Sequence, residues 1–558
     1  GYVRQAAPHR MTDRPWRIRH AAPPSGWPVT AELSAPRTRD TFRPMFSDTY
    51  RELNDLIHRE IGGRIHASRR PGVRCGHRRR NASVLSCIAL SAILAQAACL
   101  NERSFPFQAD RLIRVSESSG DNGERPTARE WLVQTHARLR PLVPASGYEP
   151  LLTEDLTTSD GRAVDVFDYF DKDPAYLHTA IGNLSGLTAT AQVTGDTEAI
   201  EIPAPAWPGF DDVWIEVQPG VSISGRLGLA TKDGEPIDAD CIVLLPGLLG
   251  DNIRVRTRDI CMGLRDAGFH TLALEFRGHG QAEAKYPNVP YNFSVMETPD
   301  LMVVSEWLQK KPHVRRTGLI GFSWSANTAL LAAWEDGRTP SDPMVSAELA
   351  KRQTPFDRGR RHFDAGVIAV SPTLEFEQIL DRLETPHAFS ENPCLSSLQG
   401  TVAHRIERKQ HGPPSGSLRK LIAYEFAKSS LNYEGSVADG LTYLRLAPYK
   451  DLPYEPKLEW ARVPVLIIHS ANDPLAYAQE VAQCFADTHN PNVACVMLHG
   501  GGHDGFASYC RDYLYSLFVN FFDADRGPKA TPYQSGYRRR AKINVISCPN
   551  CAQHSRTR

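Results

Sequence analysis

The sequence predicts an α/β protein: a mostly parallel sheet with helices on both faces and a helix-rich, cap-like excursion. Three observations lead there. From about residue 206, short apolar runs alternate with stretches of helical periodicity. Runs such as CIVLLP (241–246) and VPVLIIHS (463–470) are continuously apolar, as in strands buried on both faces, rather than alternating as in a sheet with one wet face. Ser323, Asp473 and His503 each stand just past the end of such a run, where an open parallel sheet carries its working loops.

The elements follow in order. VWIEV (213–217) and VSISGRLGLA (221–230) alternate with period two around Pro219-Gly220, which predicts an antiparallel hairpin. Then come the strand 241–246, a helix over about 254–267, the strand HTLALEF (270–276), a helix over about 299–310, the strand TGLIGF (317–322) and a helix over about 325–335. GVIAVS (366–371) is another buried strand, and the polar stretch 372–460 leaves the sheet as a helical excursion. VPVLIIHS, a helix near 476–487, VACVMLH (493–499) and a helix over about 507–522 complete a domain spanning 206–525, and a polar tail runs over 526–558. Residues 100–205 are mixed, with a helix expected in WLVQTHARLRPLV (131–143) and no chemistry assigned.

The 558 residues are 41% hydrophobic and 23% charged, enough apolar material for an extensive core, which excludes a mainly disordered or fibrous chain. Lys+Arg and Asp+Glu are equal at 64 each, but residues 1–80 hold 17 Arg, no Lys and 7 acidic residues, a net +10 that leaves −10 on the other 478. A mildly acidic body carries no electrostatic footprint for nucleic acid, so no nucleic-acid partner is expected. Eleven cysteines in so long a chain do not make a dense disulfide framework. Cys548-Pro-Asn-Cys551 with His554 offers three ligands where structural zinc takes four, so no metal is expected there.

Residues 83–100, SVLSCIALSAILAQAACL, form the longest uncharged, mostly apolar run, with Arg74, Arg78, Arg79 and Arg80 before it. A basic region, an apolar core and a small-residue exit at Ala95-Gln96-Ala97 read as a bacterial secretory signal over 73–99. AQAAC resembles a lipoprotein signal with Cys99 as the lipidated residue, and the run also has a marginal length for a membrane anchor. The expectation is an exported or membrane-anchored protein of the cell envelope, with a cytoplasmic location as the alternative. Such signals stand at a true N-terminus and residues 1–72 lack sustained periodicity, so the native chain is expected to start near residue 73.

The chemistry lies in three loops. Ser323 sits in Gly321-Phe322-Ser323-Trp324-Ser325-Ala326-Asn327 after one strand; Asp473, in Asn-Asp-Pro, follows another; His503, in GGGHDGF, follows the last. The order Ser, Asp, His, at spacings of 150 and 30 residues, is that of enzymes whose nucleophile rides on a strand-to-helix elbow. A serine hydroxyl is a weak nucleophile until an imidazole takes its proton, and a carboxylate orients and stabilises that imidazole. The elbow needs small residues two before and two after, which Gly321 and Ser325 supply. The string alone is weak: Gly220-Val-Ser222-Ile-Ser224 has the same form inside a hairpin strand with no helix after it. His499, four residues before His503, ends its strand and reads as a half-buried structural histidine, and His279, in Arg277-Gly278-His279-Gly280, reads as turn chemistry. Backbone N–H groups of Trp324 and of Leu248, in LPGLLGDN (245–252), are the expected donors to a developing oxyanion.

Together the PGLLG loop, FRGHG, Tyr291 with Thr298 and Asp300-Leu301, GFSWSAN, the NDP turn and GGHDGF resemble the YheT-like branch of the α/β-hydrolases. That branch includes bacterial esterases and eukaryotic monoacylglycerol and phospholipid hydrolases. The resemblance covers about 206–525 and implies an α/β-hydrolase fold, with Ser323 as nucleophile, Asp473 as acid, His503 as base and Leu248 and Trp324 as oxyanion donors. The elbow departs from the branch's usual GFSLGGN, since Trp324, Ser325 and Ala326 replace Leu, Gly and Gly, and Pro246-Gly247 stands for the usual His-Gly. Trp324 is expected to narrow the acyl pocket. The function expected is a serine carboxylester hydrolase working through an acyl-enzyme on short- to medium-chain esters or simple lipids, without metal or cofactor, and associated with a membrane through its N-terminal segment. A silent binding protein of the same fold and an acyltransferase using the same three residues are the alternatives.

Overall fold

The computed structural model describes residues 103–115, 125–144, 148–170, 190, 205–252, 254–337, 361–385, 393–429 and 456–533, all within the unit 79–558. The basic extension, the segment 73–99 with Cys99, and the CxxC tail with His554 lie outside the described residues. Among the described residues no helix is long and apolar enough to cross a membrane.

A nine-stranded sheet forms the centre. Its strands in chain order are β1 (Leu151–Leu152), β2 (Asp211–Gln218), β3 (Val221–Gly228), β6 (Ala239–Leu245), β7 (His270–Leu274), β8 (Val314–Phe322), β9 (Gly366–Val370), β10 (Val465–Ser470) and β11 (Val493–Leu498), while β4 (Thr231–Lys232) and β5 (Glu235–Pro236) make a separate ribbon. The spatial order is β1-β11-β10-β9-β8-β6-β7-β3-β2. The six strands from β11 to β7 run parallel; β1, and the β2–β3 hairpin, pair antiparallel at the two edges. The helices are α1 (Ala128–Leu139), α2 (Val166–Phe170), α3 (Val255–Asp266), α4 (Gly280–Lys285), α5 (Glu297–Gln309), α6 (Trp324–Gly337), α7 (Phe376–Glu384), α8 (Pro393–Arg408), α9 (Leu418–Ala427), α10 (Ala478–Ala486) and α11 (Phe506–Phe521).

The continuous apolar runs are explained by the two faces. Along β6, Cys241, Val243 and Leu245 face one core with α5, α6, α10 and the excursion helices α7–α9. Ile242 and Leu244 face the other, with α1, α3 and α11. A strand with a core on each side has no wet face, so the run 241–245 is apolar throughout. The sheet also carries a switch in direction: β7 lies on one side of β6 and β8 on the other. In open α/β sheets the crevice beyond the carboxyl ends at such a point is where ligands bind. Ser323 follows β8 at that point.

The helix expected in 131–143 is α1, and the described parts of 100–205 pack against the sheet. β1 adds an edge strand to β11, Thr153 Oγ1 accepts from the Cys495 N–H at 2.9 Å, and α1 packs on the β11 side with Trp131 and Leu132 buried. A two-residue strand has no periodicity to detect, which is why the sequence did not show it.

Candidate active site

Ser323 occupies the turn between β8 and α6 with φ +54, a left-handed backbone that a non-glycine residue holds only under constraint. The constraint comes from three sides. The Ser323 N–H donates to Val370 O on β9 at 2.9 Å, and the Ala326 N–H donates to Ser323 O at 3.0 Å. Any side chain at Gly321 would collide with the Ser325 carbonyl and Ala326 Cα, so only glycine lets α6 start this close to β8. Ser325 Oγ donates to Pro246 O, tying the elbow to the loop after β6. Asn327, two positions on in α6, grips the loop after β9: the Thr373 N–H donates to its Oδ1 at 2.7 Å and its Nδ2 donates to Thr373 O.

The carboxylate and the imidazole arrive from β10 and β11. Ser470 Oγ donates to Gly502 O at 2.7 Å, and the Gly502 N–H donates to Asn472 Oδ1 at 2.9 Å, so the two loops are fastened to each other. Asp473 Oδ1 accepts from the Leu475 and Ala476 N–H groups at 2.8 and 2.9 Å, which fixes the carboxylate plane. His503 Nδ1 lies 2.9 Å from Asp473 Oδ2 and 3.1 Å from Oδ1, and its Nε2 lies 2.6 Å from Ser323 Oγ. An ionised carboxylate only accepts, so Nδ1 carries the proton and Nε2 presents a lone pair to the serine hydroxyl. The three residues singled out across 180 positions of chain meet in one line.

Electrostatics couple the imidazole to the carboxylate. Burial works to raise the Asp473 carboxyl, but the His503 charge and hydrogen bond outweigh it and hold the group below its ordinary value. Burial likewise works to lower His503, and Asp473, then Asp504, outweigh it, leaving the imidazole above its ordinary value. Asp473 and His503 are nearly fully buried, whereas Ser323 is half-buried and so open to a reactant.

The remaining residues sort plainly. Trp324 opens α6, and N–H groups of a first helical turn have no acceptor within the helix, so its N–H stands beside Ser323 at a positive helix end. Leu248 lies in the loop over the elbow: a Cβ on Gly247 would sit 3.6 Å from Ser323 Cβ. His499 takes no part in the line; its ring stacks on Tyr148 at 4.9 Å. His279 is buried, its Nδ1 3.0 Å from Arg277 O, and burial, helped by Arg405, pushes it down to about 3. The decoy string lies at the start of β3, where its last residue, Ser224, donates to Glu275. Sequence reading missed Asp504, whose N–H donates to Ser371 Oγ at 3.1 Å and whose carboxylate lies 3.4 Å from Arg256. It also missed Thr190, whose Oγ1 accepts from the His503 N–H at 2.8 Å. Asp504 was visible as the neighbour of His503; nothing in the sequence connects Thr190 to the site. Among the described residues no cluster of three or more His, Cys, Asp or Glu could hold a metal ion.

The family model described as "Alpha/beta hydrolase family" matches residues 242–514, a span that contains all three residues. The fold is the α/β-hydrolase fold. Solved structures similar to this chain include the Pyrococcus furiosus esterase Pf2001, at 19% identity over 58% of this chain and 98% of that one, TM-score 0.35. Est1E from Butyrivibrio proteoclasticus is similar at 12% identity over 55% of this chain and 95% of that one, TM-score 0.32. A Pyrococcus horikoshii acylaminoacyl peptidase is similar at 14% identity over 59% of this chain and 43% of that one, TM-score 0.33. No curated protein matches the sequence. In chemical terms the site holds a hydroxyl against a carboxylate-oriented imidazole, next to the N-terminal end of α6.

Proposed function

We propose that the protein is a serine carboxylester hydrolase that works through an acyl-enzyme, with short- to medium-chain acyl esters or simple lipids as substrates. The observation that carries this reading is the unbroken line from Ser323 Oγ through His503 to Asp473, with contacts of 2.6 and 2.9 Å. Ser323 Oγ attacks the ester carbonyl carbon as its proton passes to His503 Nε2. The carbonyl oxygen becomes an oxyanion facing the Trp324 and Leu248 N–H groups. The carbon–alkoxy bond then breaks, and the Nε2 proton goes to the departing alcohol. Water adds to the acyl carbon by the same route, its proton moving to Nε2 and then to Ser323 Oγ as the acid leaves. Asp473 stays ionised throughout and holds the imidazole. The YheT-like placement, supported by GGHDGF and the NDP turn, and export or anchoring through residues 73–99, supported by their basic-then-apolar pattern, belong to the same proposal.

A fluorophosphonate probe tests the reading. It should label the wild-type protein and fail to label Ser323→Ala; absence of labelling in both would sink it.

The acid side of the pH profile gives a second check. His503 must be neutral to accept the proton, so activity should rise with pH through a midpoint above that of an ordinary histidine. The charged groups acting on His503 are Asp473 and Asp504, which raise it, and Arg256, which lowers it; His469, 3.9 Å from Asp473, is itself lowered by burial. Asp504→Asn removes one raising charge and keeps a side chain that tolerates the φ of +64 at this position. The midpoint of kcat/KM should therefore move to lower pH. A midpoint that stays or rises would show that Asp504 has no hold on the base.

A further inference from the structure

The residue beside Ser323 is unusually large, and its surroundings define what it does. Trp324 is 2% exposed and meets Phe376, the first residue of the excursion helix α7, edge to face at 4.5 Å. Phe293 meets it on another side at 5.8 Å, and Tyr291 backs Phe293 at 4.6 Å. Phe293, Tyr291 and Phe376 are all at most 2% exposed. A channel for a long acyl chain would leave open ring faces along its wall; these four rings have none.

The wall is also fixed. Phe293 and Ser294 hold φ of +49 and +83, conformations that persist only where the surroundings over-determine them. The Asn292 and Ser294 N–H groups each donate to Glu297 at 2.8 Å. Ser294 Oγ lies 2.6 Å from Thr328 Oγ1, and Thr328 sits one turn after Trp324 on the same helix. The ring that Phe293 offers to Trp324 is thus pinned to α6 itself. The other half of the contact, Phe376, comes from the excursion.

We propose that the Trp324 side chain closes the excursion side of the site and sets the acyl-length limit, so that the enzyme takes acyl groups of acetyl to butyryl size. This rests on the ester-hydrolase reading and narrows it. The N–H of residue 324 belongs to the backbone, so a change of side chain keeps the oxyanion donor and alters only the room beside it.

The test is kcat/KM of the full chain on p-nitrophenyl acetate, butyrate, octanoate and dodecanoate. Wild type should fall by about tenfold or more from butyrate to octanoate, the scale at which apolar pockets discriminate chain size. Trp324→Ala should favour octanoate over butyrate, with Trp324→Phe between the two. Phe376→Ala removes the partner ring and should shift the preference the same way, which carries the test if Trp324→Ala does not fold. A butyrate preference unchanged in variants that still label with the fluorophosphonate, or a wild type equally active on dodecanoate, overturns the acyl-limit proposal alone. A wild type that hydrolyses none of the four esters overturns it together with the ester reading.

Discussion

Ser323→Ala and His503→Ala are each expected to lower ester hydrolysis by roughly 10⁴- to 10⁶-fold, and the double variant to lose no more than either single one. The reason is that the two side chains act as one unit. Without the hydroxyl there is no covalent intermediate; without Nε2, 2.6 Å away, the hydroxyl keeps its proton. Asp473→Asn should cost about 10⁴-fold by admitting the wrong imidazole tautomer, although the carboxamide can still accept from the Leu475 and Ala476 N–H groups. Ser323→Ala takes away only a side-chain oxygen and leaves the Ser323 N–H bond to Val370 intact, so unfolding should be unchanged. Burst and steady-state kinetics of the four variants give the measurement. A tenfold loss in Ser323→Ala would assign the wrong nucleophile.

Arg405→Ala is expected to destabilise the protein by about 3–5 kcal/mol, the cost of leaving buried charges without their partner. Arg405 is 1% exposed and joins the excursion to the body. From α8 its Nε donates to Glu425 on α9 at 3.2 Å, its Nη1 to Glu283 on α4 at 3.3 Å, and its Nη2 to Gly278 O after β7 at 2.9 Å. Lys409 lies 3.0 Å from Glu283, and His411 3.5 Å from Glu425, so the site is a network and not a pair. Replacing both Arg405 and Glu425 by apolar residues of similar size should cost less than Arg405→Ala, since Glu425 is then not left as a buried charge without Arg405. Denaturant unfolding would decide between these outcomes, and equal stability of Arg405→Ala and wild type would refute the anchor. The network also has a pH sign. Burial works to raise Glu425, but Arg405, His411 and Lys409 together outweigh it and hold the carboxyl at about 2, against an ordinary 4.5. Its contribution to stability is thus complete above pH 4.5 and is lost as the pH falls towards 2.

Much of the domain was legible because its signals are local. The strands β6, β8, β10 and β11 each carry a continuous apolar run, and helices α3, α5, α6, α10 and α11 fall within a few residues of their expected spans. Ser323 could be told from the decoy Ser222–Ser224 string because a buried strand precedes it and a helix follows. His503 could be preferred to His499 because glycines carry it beyond the strand end. What escaped was non-local. Thr190 reaches the His503 N–H from 313 positions away, and β1 joins the sheet with two residues. Neither leaves a pattern in its own neighbourhood.

The sequence by itself determined the architecture and the chemical types at three strand ends, because hydrophobic periodicity and turn chemistry are written residue by residue. Only the tertiary structure decided that the hydroxyl, imidazole and carboxylate lie in contact, that Arg405 ties the excursion to the loop after β7, and that Phe293 and Phe376 enclose the Trp324 ring. Those relations join residues dozens to hundreds of positions apart. They are fixed by how strands order themselves in a sheet and how helices close over it, a property of the whole packed core and of no segment alone.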